Sequence, residues 1–145
     1  MGKTRESANL TSRTNIYSDI SNLRVGIAIA NPSETLHVSG NILSTGDINS
    51  NSDIKLKTNI KTIPDALEKV LSMRGVEFDR IDLEGKHQIG VIAQEIEEVL
   101  PDLVTENDGI KSVSYGNITA VLIEAIKVQQ EQINSLKEEI QSLKK

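Results

Sequence analysis

The segment Ser52-Asp53-Ile54-Lys55-Leu56-Lys57 places a hydroxyl and an amine five residues apart on one short polar stretch. Cleaving a peptide bond needs a nucleophile, a group that takes its proton, and stabilisation of the oxyanion that forms. Ser52 supplies the hydroxyl and Lys57 the amine. A lysine works as a base only when neutral, which requires burial or a neighbouring positive charge. Lys55 and Lys61 are the cations nearby in sequence. Each residue alone also has a plainer use. A Ser-Asp pair in a polar linker forms a turn or a helix cap, and a lysine on a charged segment is ordinarily solvated.

Other chemistries have little to draw on. There is no cysteine, and His37 and His87 lie far apart, so no metal centre is expected. No Gly-rich phosphate loop or pair of catalytic carboxylates is present, and no cofactor is expected. A net charge of -5 argues against a nucleic-acid partner, which calls for a basic stripe to neutralise phosphates. No apolar run is long enough for a bilayer, so no membrane partner is expected. Residues Met1 to Arg24 lack the apolar centre of a secretory signal, which points to synthesis in a cytosol. The Met1-Gly2 start, ahead of what reads as mid-protein sequence, suggests a piece of a longer chain.

Three aromatics, Tyr17, Phe78 and Tyr115, are all the chain offers for large single burials. Its core must come from Ile, Leu and Val, or be shared with other chains. The elements around the Ser-Lys segment follow from the apolar pattern. Residues 1–23 show no usable period and read as loop or weakly ordered strand. Val25, Ile27 and Ile29 alternate with small residues as a strand does, and Leu36 and Val38 resume the alternation after Asn31-Pro32-Ser33. Ile42-Leu43 is a further short strand between two turns. Asn49-Ser50-Asn51-Ser52 is the clearest boundary, and beyond it the composition becomes helical and charged.

Pro64 and Asp65 suit a helix start, followed by an apolar stripe of Leu67, Val70 and Leu71 and a stop at Gly75. Val76 to Asp82 alternates as a strand, with Val76, Phe78 and Arg80 on one side, and His87 to Val91 pairs back after a turn at Glu84-Gly85-Lys86. Ala93 to Leu100 is a short helix ended by Pro101, and Ile110 to Val113 is a last strand. From Asn117 to Lys145, Leu122, Ile126, Gln129, Ile133, Leu136, Ile140 and Leu143 alternate in steps of four and three. This is a heptad seam, with Ile126, Ile133 and Ile140 at a and Leu122, Leu136 and Leu143 at d. Glu139 at g can pair with Lys144 at the next e across chains. One amphipathic helix lying on its own domain is the plainer alternative; the strict alternation and a polar Gln129 within the seam favour an oligomeric coil.

The Ser52-to-Ile60 stretch, together with Gly90-Val91-Ile92-Ala93-Gln94-Glu95, Pro101 and Ser112-Val113-Ser114-Tyr115, resembles the intramolecular chaperone auto-processing domain, the peptidase S74 family. The likeness runs in order over residues 52–145, and Lys55 stands where that family usually has Arg, which keeps the charge but loses the planar fork. Upstream, Val25-Gly26-Ile27 to Ile42 resembles the triangular beta-prism stalk repeats of phage fibres, with Ala28 replacing a frequent Gly. The resemblance implies an α+β homotrimer, with a fibre-stalk end over 1–51, an auto-processing chaperone core over 52–116 and a C-terminal coiled-coil helix over 117–145.

It further implies a single-turnover, serine-type self-cleavage between Ser52 and Asp53, carried by Ser52 and Lys57, with His87 assisting and Gln94 positioning the scissile segment. Ser52 attacking its own carbonyl would close a strained four-membered ring, so the bond after Ser52 needs another attacker. Asp53, water activated by Lys57, or a neighbouring chain all remain open. The expected role is to trimerise, assist folding of the upstream stalk of the same chain, and then release that stalk. This would happen in the host cytoplasm, with the mature fibre in the virion and the chaperone domain released or retained non-covalently. A non-cleaving trimeric adhesion tip and a processing domain of a membrane-tethered transcription factor are the rival readings. The stalk-like repeat and the lack of a basic DNA-binding region speak against the latter.

Overall fold

A computed structural model of the protein describes residues 15–144. Residues 1–14 of the expected irregular start, and Lys145 at the end of the coil, lie outside the described residues. The chain divides into two compact units, Met1–Leu56 and Lys57–Lys145.

The first unit is built on a three-stranded sheet in the order β1 (Ile16–Asp19), β2 (Arg24–Ile27), β3 (Leu36–Val38). Strand β1 falls in the stretch read as loop or weakly ordered strand, because Ile16-Tyr17-Ser18-Asp19 carries too few apolar residues to show a period. It exists because β2 gives it an antiparallel partner, from Ile16 opposite Ile27 to Asp19 opposite Arg24. Asp19 closes the hairpin: its Oδ1 accepts the Asn22 N–H at 3.1 Å and its Oδ2 accepts the Asn22 side-chain amide at 2.7 Å.

Strand β3 then pairs parallel to β2, with Val25 opposite Leu36, after a connection far shorter than the usual parallel crossover. The Arg24 guanidinium donates to the Pro32 carbonyl at 3.1 Å across that connection. Gly26 is buried there, and a Cβ on it would lie 2.1 Å from the Ile29 carbonyl oxygen. Ala28 sits at φ 56°, in the left-handed region, which costs an L-residue about 1–2 kcal/mol. A glycine would hold that position without strain. The strand expected at Ile42-Leu43 does not form: both side chains are exposed and have no strand beside them.

The second unit is mixed helix and hairpin. Its elements are α1 (Ala66–Ser72), β4 (Val76–Arg80), β5 (Lys86–Gly90), α2 (Ala93–Val99), β6 (Val104–Asn107), β7 (Ile110–Val113) and α3 (Tyr115–Leu143). The α+β class is therefore as the sequence indicates. Helix α1 starts after Asp65, itself at φ 51°, so Pro64 stands just ahead of the helix rather than within its first turn. It ends because Met73 turns extended, with its N–H on the Val70 carbonyl at 3.2 Å, and not through a left-handed Gly75. Pro101 opens a single 3-10 turn, Pro101–Leu103, directly after α2. Strand β6, absent from the sequence reading, pairs with β7 through the Asp108-Gly109 turn.

The core is small and aliphatic. Ala66 on α1 meets Val121 and Ala125 on α3, with Ile63, Leu67, Val70 and Leu100 around them. Small residues at 66 and 125 let the two helix backbones approach. Leu71, expected in the α1 stripe, is exposed. The buried residue of this helix is Ala66, five positions earlier and on a different side. Ile96 on α2 is 1% exposed. Helix α3 begins at Tyr115, two residues before the expected start, and spends its inner face at 121 and 125 on α1. The heptad positions Leu122, Ile126, Ile133, Leu136, Ile140 and Leu143 keep between 40% and 85% of their surface.

Candidate functional site

The segment around Ser52 is open. Every residue from Ser39 to Thr62 is exposed, so both sides of the Ser52–Asp53 peptide face solvent. The bond is followed at once by a single 3-10 turn, Ile54–Leu56, which Asp53 organises. Its carbonyl accepts the Leu56 N–H at 3.1 Å, and its Oδ1 accepts the Lys55 N–H at 2.8 Å. The side chain of Asp53 is thus a turn cap for the residues just past the bond. Lys57, Lys55 and Lys61 are exposed as well, so the single chain does not supply the burial that a lysine base requires.

His87 and Gln94 lie in the second unit with Lys57, whereas Ser52 and Asp53 belong to the first. Strands β4 and β5 pair antiparallel, from Val76 opposite Gly90 to Arg80 opposite Lys86, which sets His87 opposite Asp79. The His87 Nδ1 lies 2.9 Å from Asp79 Oδ1, and its Nε2 is 4.0 Å from Glu77 Oε2. Gln94 stands exposed in the first turn of α2. Its neighbour Glu95 does structural work: the Arg74 Nη2 donates to Oε1 at 2.6 Å and Nε to Oε2 at 2.9 Å, a fork that ties the end of α1 to α2. Hydrogen bonds from Arg74 hold the Glu95 carboxyl below its ordinary range. Lys111 on β7 likewise pairs with Glu97 of α2, and those hydrogen bonds raise its ammonium above the usual lysine range.

The Gly-Val-Ile and Ser-Val-x-Tyr motifs meet in space. The Tyr115 hydroxyl, at the start of α3, accepts the Val91 N–H at 3.2 Å. A Cβ on Gly90 would lie 2.6 Å from that oxygen and 3.4 Å from the Phe78 ring. Gly90 is therefore the residue that lets the tyrosine reach the strand end. These contacts fix where α2 begins, and Gln94 with it. Neither Tyr115 as a structural pin nor Asp79 as the partner of His87 was read from the sequence. The second was hidden because the 3-10 turn Ile81–Leu83 shifts the register: counting outward from the Glu84-Gly85 turn would set residue 82, not 79, opposite 87.

With that geometry in hand, the comparisons fall into place. Residues 52–105 match the chaperone of endosialidase family, and the match begins on Ser52 itself. Those residues belong to peptidase S74. The chain is 33% identical over 115 residues to the long tail fiber protein Gp37 of Enterobacteria phage K3, covering 70% of this chain and 9% of that protein. It is 33% identical over 137 residues to Gp37 of Enterobacteria phage Ox2, covering 79% of this chain and 55% of the relative. A non-phage relative, myelin regulatory factor homolog 1 of Caenorhabditis elegans, is 32% identical over 97 residues, covering 59% of this chain and 10% of its own length. The chain thus spans from under a tenth to about half of these relatives. Among the described residues, no helix is long and apolar enough to cross a membrane.

Proposed function

We propose that this chain is part of a phage tail fibre whose S74 segment is an intramolecular chaperone. It trimerises, assists the upstream strands into register, and then cuts the chain between Ser52 and Asp53. The observation that carries the reading is the place where the family match starts. It begins at Ser52, within the long exposed segment that follows strand β3. A bond meant to be cut must be reachable, and this one is. The long tail fiber proteins among its relatives favour a fibre over the other settings of the family. Coverage of 79% by the Ox2 fibre protein is more than residues 52–145 could supply, so the likeness extends into the upstream strands.

Trimer formation is supported by what the single chain leaves uncovered. Its buried hydrophobic side chains among the described residues are Ala66, Ile96, Val121 and Ala125, a small core for a chain of this length. Meanwhile the α3 seam, and Ile42, Leu43 and Ile48 ahead of the cleavage bond, stay exposed. Partner chains that cover these residues would supply the missing core. Ile at a with Leu at d by itself favours two strands, but the seam is short and the preceding domain can set the number. Strands with mostly non-local contacts register slowly, and a trimeric module raises the effective concentration of the others. Cleavage then makes the assembled state irreversible.

Chemically, Ser52 and Lys57 are the required pair, with His87 and Gln94 assisting, and the burial that makes Lys57 a base comes from neighbouring chains. Intact mass spectrometry of the refolded chain tests the reading. Two fragments meeting between Ser52 and Asp53 are expected, with one whole chain for Ser52→Ala and for Lys57→Ala. A wild-type chain that stays whole after folding sinks self-processing. Sedimentation of the protein should give a trimer, and a clean dimer would count against the fibre.

A further inference from the structure

Local order at the Ser52–Asp53 bond comes from one side only. Upstream, residues 47–52 belong to no strand, helix or turn. Downstream, the 3-10 turn Ile54–Leu56 starts at once, and Asp53 holds it with two acceptors. The Asp53 carbonyl takes the Leu56 N–H at 3.1 Å, which fixes the rotation about its Cα–C bond. Its Oδ1 takes the Lys55 N–H at 2.8 Å, which fixes the rotation about Cα–Cβ. The residue that supplies the leaving nitrogen is thus also the one whose side chain sets the conformation just past it. These atoms all belong to residues 53–56, within the first unit. The same contact bears on what Asp53 does not do. As an attacker, its carboxylate would have to reach back to the Ser52 carbonyl carbon through a six-membered ring, and would give up the Lys55 N–H to do so.

We propose that Asp53 is a positioning residue for the self-cleavage: its side-chain oxygen caps the turn that holds the downstream half of the Ser52–Asp53 bond in one orientation, while the chemistry stays with Ser52 and Lys57. This rests on the reading that the bond is cut. Holding a reacting group in one geometry lowers the barrier by removing the entropy of finding that geometry. A neutral carbonyl oxygen caps a turn about as well as a carboxylate does. The part played by Asp53 is therefore set by its reach and its acceptor, and not by its charge. Asparagine offers the same acceptor at the same reach without the charge, and glutamate carries the charge one methylene further out.

Three substitutions separate acceptor from charge, each read as the rate of cleavage after refolding the full chain. Asp53→Ala removes both and should slow the cut about tenfold, the scale of a lost cap. Asp53→Asn restores the acceptor alone and should recover most of that loss. Asp53→Glu restores the charge at the wrong reach and should stay at the Asp53→Ala rate. Urea unfolding of all three should match the wild type, because residue 53 is exposed, so the slower cut is not a loss of fold. In the uncut Lys57→Ala background, the Lys55 amide proton should show the shallow temperature dependence of a bonded N–H in NMR spectra. Adding Asp53→Ala should remove it, and adding Asp53→Asn should keep it. Cleavage kept by Asp53→Glu and lost in Asp53→Asn makes the carboxylate the attacker and overturns the proposal. So does an Asp53→Asn chain as slow as Asp53→Ala, an Asp53→Ala chain that cleaves at the wild-type rate, or a Lys55 amide that behaves as unbonded in the parent. A wild-type chain that stays whole removes the cleavage reading underneath and the proposal with it. The amide readout needs no cut, so it tells that failure from the others.

Discussion

The two motifs that identify the S74 domain do opposite things in the folded chain. Around Ser52 the chain builds almost nothing: the residues on either side of the bond are exposed, and the local order is one 3-10 turn capped by Asp53. Around Gly90 to Ile96 nearly every residue is committed. Gly90 makes room for Tyr115, Val91 donates to its hydroxyl, Glu95 holds Arg74, and Ile96 is buried to 1%. The first motif carries reactive groups without a scaffold, and the second is scaffold with little reactivity of its own. Under the proposed self-cleavage, that division would serve a site that stays silent until partner chains arrive. Its groups can be correct in type and still lack the burial that would make them act.

The sharpest way to break the comparison is to exchange the effects of mutation between the motifs. Ser52→Ala should abolish cleavage on a denaturing gel while leaving urea unfolding of the chain within about 0.5 kcal/mol, since the site is exposed. Ile96→Ala should do the reverse. Removing a fully buried isoleucine costs roughly 2–5 kcal/mol, and any loss of cleavage should be regained at lower temperature. If Ser52→Ala destabilises the fold as much as Ile96→Ala, the Ser52 segment is scaffold after all. Next in size is the Gly90–Tyr115 contact. Gly90→Ala should destabilise by about 1–3 kcal/mol through overpacking, and Tyr115→Phe by about 1 kcal/mol through the lost hydrogen bond. In the double variant the two should fall short of their sum, because the hydroxyl that a Cβ would meet at 2.6 Å is gone. Strict additivity in unfolding curves would show that the two residues do not meet.

How much of this the residues disclosed depends on whether the signal was local. The β4–β5 hairpin, α2 with its stop at Pro101, and α3 were legible because apolar period, turn residues and a proline act within a few positions. Strands β1 and β6 were not, since their stability comes from a partner strand rather than from their own alternation. Leu71 was misplaced for a similar reason: which side of a two-turn helix faces inward is set by α3, and Val121 and Ala125 select Ala66. At the site, Ser52, Lys57, His87 and Gln94 came from resemblance. Asp79 and Tyr115, which hold two of the site's elements in place, are tertiary partners that no single motif announces.

The smallest expected effect lies in the Arg74–Glu95 fork, and it separates packing from charge within the scaffold motif. The Arg74 hydrogen bonds lower the folded pKa of Glu95 below its ordinary value of 4.5. A group depressed in this way contributes stability that is fully present above its unfolded pKa and is lost as pH falls through the folded one. Thermal melts of the wild type and of Glu95→Gln should therefore differ at pH 6, with the wild type higher, and converge as the pH is taken from about 4.5 downward. Arg74 is 67% exposed and Glu95 36%, so the gap should be small and shrink further in salt. A gap that persists at acid pH would mean that Glu95 acts through packing and not through its charge. Convergence would show that the link between α1 and α2 is electrostatic.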